Sequence, residues 1–121
     1  MTRLTISSCS HPIVIDSSQI SIDSCIFEAN TGSVMSIGNS ATVTDSNSIY
    51  RSTIISNANG WSAIYLASSS TYTGTNIEMS SNQSVKSGGG VIVTGFSTYI
   101  CNTCRYLNNK TQLSGGVFFS D

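Results

Sequence analysis

The sequence predicts an all-β fold: a right-handed parallel β-helix of about four to five coils, each 24–29 residues long. Three observations predict it. Apolar residues followed within three places by asparagine recur at Phe27–Asn30, Ile55–Asn57, Met79–Asn82 and Tyr106–Asn109, with anchors 28, 24 and 27 residues apart. A second apolar column, Val34, Ala63, Val91 and Val117, recurs independently at steps of 29, 28 and 26. The composition favours pleated surfaces, since isoleucine, valine, threonine and aromatics outweigh the strong helix formers. A fixed period of this length marks a solenoid, whose coils bury their apolar faces only by stacking on one another.

Taken in order, residues 1–11 form a partial coil in which Leu4 and Ile6 alternate toward Cys9. The next coil, 12–31, carries His11-Pro12-Ile13-Val14-Ile15 at its start and Ile20 and Ile22 leading into the Phe27 strand. Coils 32–59, 60–86 and 87–113 follow, and 114–121 begins another. Each pairs an anchor strand with a second apolar strand: SVMSI from Ser33, SAIYL from Ser62, GVIVT from Gly90 and GVFFS from Gly116. Before the anchors stand Cys25, Thr53, Ile77 and Cys104, which gives an alternating strand with the anchor face inward. Residues 38–48 read as a polar insert and 67–74 as a serine and threonine loop. Glycine and asparagine are expected at the corners, where the backbone turns left-handed. The asparagines are expected to form a ladder at one of those corners.

Composition excludes some functions. Only 9% of residues are charged and the formal net charge is −1, so there is no basic patch for nucleic-acid phosphates. No apolar run approaches the roughly 20 residues of a membrane-spanning helix, and the first ten residues lack the apolar stretch of a secretory signal. Either the protein is cytoplasmic or the chain is a processed or partial segment, and the absence of polar caps at the ends of the repeat favours the second reading. Serine and threonine number 38 of 121 residues.

The pairing of F-x-x-N with a glycine-led apolar strand resembles the repeats of chlamydial polymorphic outer membrane proteins and related protist surface proteins. FEAN at Phe27, SGGGVIV at Ser87, YLNN at Tyr106 and SGGVFF at Ser114 carry the likeness. The resemblance implies a right-handed parallel β-helix displayed outside the cell as an adhesin or coat component.

Candidate chemistry is sparse. Cys25 and Cys104 share a column but lie three coils, roughly 14 Å, apart by strand spacing, too far for a disulfide. They read as buried small hydrophobes. Cys101 and Cys104 form a C-x-x-C, but two thiols fall short of a zinc set, and on one strand they would face opposite sides. Cys9 has Cys25 as a candidate partner across neighbouring coils. The acids Asp16, Asp23, Glu28, Asp45, Glu78 and Asp121 show no converging group, and Asp23 is expected to pair with Arg51 on the adjacent coil as a surface ion pair. His11 lacks a partner, and Gly88–Gly90 precede a strand without a P-loop lysine. Trp61, Tyr65, Tyr72, Phe96 and Tyr99 are candidates either for partial exposure as a partner surface or for packing under the long loops. Two glycosylation sequons begin at Asn82 and Asn109, both on the ladder position.

These readings assign no catalytic, cofactor-binding or metal-ligating residue. They point to a non-enzymatic extracellular protein, a filament, coat or adhesin-like β-helix that stacks end to end or continues into further coils, with glycans as candidate partners. The alternative is a polysaccharide-binding or polysaccharide-cleaving β-helix. An ice-binding solenoid needs a flat threonine array, and Thr42, Thr44, Thr71, Thr73 and Thr75 are not expected to repeat at the coil period.

Overall fold

A computed structural model describes residues 5–7, 13–55, 63–85, 90–112 and 118–120. Seventeen short strands and no helix occur among them. All thirteen strand pairings are parallel. The chain is a parallel β-solenoid.

One circuit visits four sheets. In the second coil these are β5 (Met35–Gly38), β6 (Thr42–Ser46), β7 (Ile49–Arg51) and β8 (Ile54–Ile55). The third repeats them as β9 (Ile64–Leu66), β10 (Thr71–Thr75), β11 (Glu78–Ser80) and β12 (Gln83–Ser84). The fourth follows as β13 (Val91–Val93), β14 (Thr98–Asn102), β15 (Arg105–Leu107) and β16 (Lys110–Thr111). A three-sided circuit precedes them, β2 (Ile13–Asp16), β3 (Gln19–Asp23) and β4 (Ile26–Glu28). Partial circuits are added by β1 (Thr5–Ser7), which pairs with β4, and β17 (Phe118–Ser120), which pairs with β13. Four-sided circuits are thus completed about three times, slightly below the expected coil count.

The stacking is as expected, but the columns differ in detail. Phe27 lies beside Tyr50, Tyr50 beside Met79, and Met79 beside Tyr106. Tyr50 therefore takes the place predicted for Ile55, which pairs instead with Ser84 in the next sheet. The Phe27 and Tyr50 rings stack with centroids 4.7 Å apart. The second apolar column also shifts by one: Met35 pairs with Ile64, Ile64 with Val91 and Val91 with Phe118. Val34 thus lies level with Ala63 and with Gly90 rather than Val91, and Val117 lies outside the described residues.

A whole sheet was hidden from the sequence reading. The supposed polar insert and serine–threonine loop contain β6 and β10, which pair residue for residue with each other and with β3 and β14. Their inward positions include Val43, Asp45, Tyr72 and Gly74, a set too mixed to read as an apolar face. Trp61 lies outside the described residues; Tyr72 is fully buried rather than partly exposed, Tyr65 and Tyr99 are half-buried, and Phe96 is fully exposed.

Corners are made by single left-handed residues stacked in register. Ser24, Asn47, Asn76 and Thr103 form one such column, with φ between 54° and 56°, and Ala29, Ser52, Ser81 and Asn108 form another. Serine and asparagine, not glycine, dominate these positions, and among described glycines only Gly95 has positive φ. Short polar side chains tolerate this region by bonding locally, at some cost in strain. Asn76 bonds across coils instead, donating its side-chain amide to Asn47 Oδ1 at 3.0 Å, so the outer corner carries its own polar link between coils.

Candidate functional site

The interior holds two polar systems that a purely apolar stack would lack. The first is the asparagine ladder. Asn82 Oδ1 accepts the backbone N–H of Thr53 at 3.1 Å, and Asn82 Nδ2 donates to the Tyr50 carbonyl at 3.0 Å. One coil on, Asn109 Oδ1 accepts from Asn82 N at 3.1 Å, and Asn109 Nδ2 donates to the Met79 carbonyl at 2.8 Å. Each amide therefore satisfies the backbone of the coil before it, at a corner where sheet hydrogen bonding is interrupted. Thr53 occupies the ladder position in the Tyr50 coil, and its buried hydroxyl has no partner.

Both sequon asparagines are these ladder residues. Asn82 is fully buried and Asn109 half-buried. Their side-chain nitrogens, the atoms a glycan would occupy, are already donating inside the stack.

The second system surrounds Asp45. Its side chain has no exposed surface, and it points inward among aromatic rings. Ser48 donates to Oδ1 at 2.6 Å; Tyr72 donates to Oδ2 at 2.8 Å, and Tyr50 donates to the same oxygen. Burial pushes the carboxyl above its ordinary range, while the hydrogen bonds from Ser48, Tyr50 and Tyr72 pull the other way. Burial likewise raises the Tyr50, Tyr72 and Tyr99 hydroxyls well above the ordinary phenol, and raises that of Tyr106. The Tyr72 and Tyr99 rings stack at 5.1 Å, and the Tyr99 and Tyr106 hydroxyls lie 3.0 Å apart. An enclosed carboxyl of this kind cannot reach a polymer; its bonds tie Ser48 and Tyr50 to Tyr72 on the next coil.

The C-x-x-C pair departs from expectation. Cys101 and Cys104 form a disulfide with Cα atoms 5.9 Å apart. Thr103, at φ 55°, turns the corner between them, so both thiols face inward instead of opposing across one strand. The same i, i+3 relation is filled differently in each coil: Asp45 bonds to Ser48, and Gly74 sits under Ile77. Cys25 is buried and free. Cys9 and His11 lie outside the described residues.

On the surface, Arg51 pairs with Glu28 rather than Asp23, donating from Nε at 2.9 Å and Nη2 at 2.6 Å to Glu28 Oε2. The register explains it, because Asp23 stands beside Ser46 and Glu28 beside Arg51. Asp23 instead accepts from Ser46 Oγ at 2.6 Å and Asn47 Nδ2 at 2.9 Å, and these bonds lower its pKa. Glu78 approaches Arg105 at 3.9 Å. A shallow open depression along β8, β12 and β16 is lined by Ile54, Gln83, Val85, Lys110 and Gln112, with no acid among its lining residues. Among the described residues no group of three or more histidine, cysteine or acidic side chains is placed to hold a metal ion, and no helix is long and apolar enough to cross a membrane.

Compared with protein-family models, curated proteins and solved structures, the chain has no match in any of the three.

Proposed function

We propose that this chain is a non-enzymatic structural or surface protein that works outside the cell as a filament, coat or adhesin-like solenoid. The observation that carries the reading is the in-register stack, in which the interior amides of Asn82 and Asn109 bond to the backbone of the coil before. Such a stack gives a stiff rod whose outer positions are free to vary. The disulfide supports an oxidising compartment, since such bonds persist mainly outside the reducing cytosol. The likeness to bacterial and protist surface repeats points the same way.

Association end to end, or continuation into further coils, belongs to the same proposal. Tyr99, Cys101, Cys104, Tyr106 and Asn109 are half-buried, whereas their counterparts one coil back, Tyr72, Gly74, Ile77, Met79 and Asn82, are buried. A further coil laid on β14–β16 would cover those inward side chains and pair the strand edges, which otherwise template adventitious pairing. Electron microscopy of the native material is the test. Rods or fibrils whose length grows in steps of one solenoid fit the proposal. Dispersed particles that release sugar from polysaccharide would instead establish the enzymatic alternative.

A further inference from the structure

We infer that the outer face of the β3–β6–β10–β14 sheet is a binding surface for ice. The register overturns the expectation that the threonines do not repeat at the coil period, because the sheet hidden in the supposed loops brings them side by side. Thr42, Thr71 and Thr98 stand in one column, and Thr44 and Thr73 in the next. Thr75 extends the grid along its strand. Alternation sends Val43, Asp45, Tyr72 and Gly74 inward, so these six threonines project outward from one face. The four strands pair five residues for five, without a bulge, which keeps the face regular.

The chemistry of that face selects its ligand. Neighbouring threonines repeat at about 4.8 Å across the strands and about 6.6 Å along them, a regular two-dimensional grid of hydroxyls and methyls of the kind that can hold water in ordered places. Threonine is stiff at χ1, so its methyl and hydroxyl groups hold fixed places before any ligand arrives. The charge pattern agrees: the only charged residue among the outward positions is Asp23 on the outermost strand, and its carboxylate is bound by Ser46 and Asn47. The remaining outward positions are Gln19, Ser21, Ser46, Ile100 and Asn102, so apart from Asp23 the face is an uncharged grid, mostly of hydroxyls and methyls, that complements an uncharged lattice of water and gives nothing to a polyanion. No outward position on the sheet is aromatic, so the face lacks the flat rings on which sugars stack. This inference does not rest on the surface-protein proposal, since a solenoid of either location can carry such a face.

The test is ice recrystallisation inhibition by the purified chain, with circular dichroism to verify folding. The folded chain is expected to arrest grain growth at micromolar concentration. Thr44→Lys, and separately Thr98→Lys, are expected to raise the concentration needed at least tenfold, because each places a solvated charge on the grid at an exposed position. Gln83→Lys, on the exposed side of β12, is expected to leave activity unchanged. Either threonine variant alone suffices if the other fails to fold. The inference is overturned if the folded chain leaves grain growth unaltered or if folded threonine variants inhibit as well as the parent. Retention on crystalline cellulose or chitin without inhibition of ice growth overturns it too, and assigns the face to a polysaccharide.

Discussion

Asn109 Oδ1 lies 3.1 Å from the backbone nitrogen of Asn82 and 3.0 Å from its side-chain nitrogen, so two residues 27 apart in sequence bond directly across one coil spacing. Removing such an amide leaves buried backbone groups unpaired on the coil before. Asn82→Ala would strand the Thr53 N–H and the Tyr50 carbonyl. The expected loss is about 2–3 kcal/mol, measured by chemical unfolding. Thr53→Asn should act in the opposite sense. It replaces a buried unpartnered hydroxyl with the amide that the ladder uses elsewhere, for an expected gain of about 1 kcal/mol. A ladder that contributes only surface hydration would show neither change.

Asp45 gives the chain a pH dependence of definite sign. Its carboxyl is raised above the ordinary 3.8, chiefly by burial, so the folded chain holds this proton more tightly than the unfolded one. The stabilisation linked to protonated Asp45 is complete below the ordinary carboxylate value and is lost as pH rises through the raised one. Asp23 runs the other way, being lowered by hydrogen bonds from Ser46 and Asn47, so its contribution is lost as pH falls. The difference between the parent and Asp45→Asn isolates the first effect. The parent should lose stability relative to the variant as pH climbs from about 4 to neutral. Unfolding curves that stay parallel over that interval would exclude the linkage.

The four tyrosine hydroxyls along the core should stay protonated at high pH. Burial raises Tyr50, Tyr72, Tyr99 and Tyr106 above the ordinary 10.0. A raised phenol contributes stability that is intact below its ordinary value and declines as pH rises beyond it. Phenolate absorbance should therefore appear for these four only together with loss of β-sheet circular dichroism. Ionisation of all of them in a still-folded chain would contradict their burial.

Much of the architecture was legible because it is written in columns. Phe27, Met79 and Tyr106 were readable as one stack, and Asn30, Asn82 and Asn109 as its companion, because an apolar residue and an amide must each repeat when coils superpose. Tyr50 escaped because Thr53 replaces asparagine in its coil, and because Ile55 with Asn57 imitates the motif five residues later. The β3–β6–β10–β14 sheet escaped for a different reason. Its outward threonines look like a polar loop, and its inward column runs Ile22, Asp45, Gly74 and Cys101, four side chains of unlike chemistry. Only the hydrogen bonds to Asp45, and the space left by Gly74, reveal why they belong together.

Gly74 tests that last relation. A Cβ there would lie 2.9 Å from Ile77 Cγ1 and 3.0 Å from both Cys101 Sγ and Tyr72 Cε1. All three neighbours are themselves packed in the core or against it. Gly74→Ala is therefore expected to cost about 1–3 kcal/mol by overpacking. Adding Ile77→Val, which removes the Cδ1 beyond that Cγ1 and so lets the shortened side chain shift, should recover part of the loss. Gly38→Ala is the control, because nothing lies within 4 Å of a Cβ at that site.

The Cys101–Cys104 bond closes a short loop around the Thr103 corner, and its value to the fold follows from what it denies the unfolded chain. By loop-entropy reasoning a closure of this size contributes about 2 kcal/mol. Alkylation of the native protein should leave Cys101 and Cys104 unmodified, and should reach buried Cys25 only after unfolding. Cys101→Ser with Cys104→Ser should lower the melting temperature but preserve the parallel stack, because the strand pairing of β14 and β15 with β10 and β11 does not depend on the sulfurs. Complete loss of β-sheet signal in that double variant would mean that the corner, rather than the ladders, holds the last coil in register.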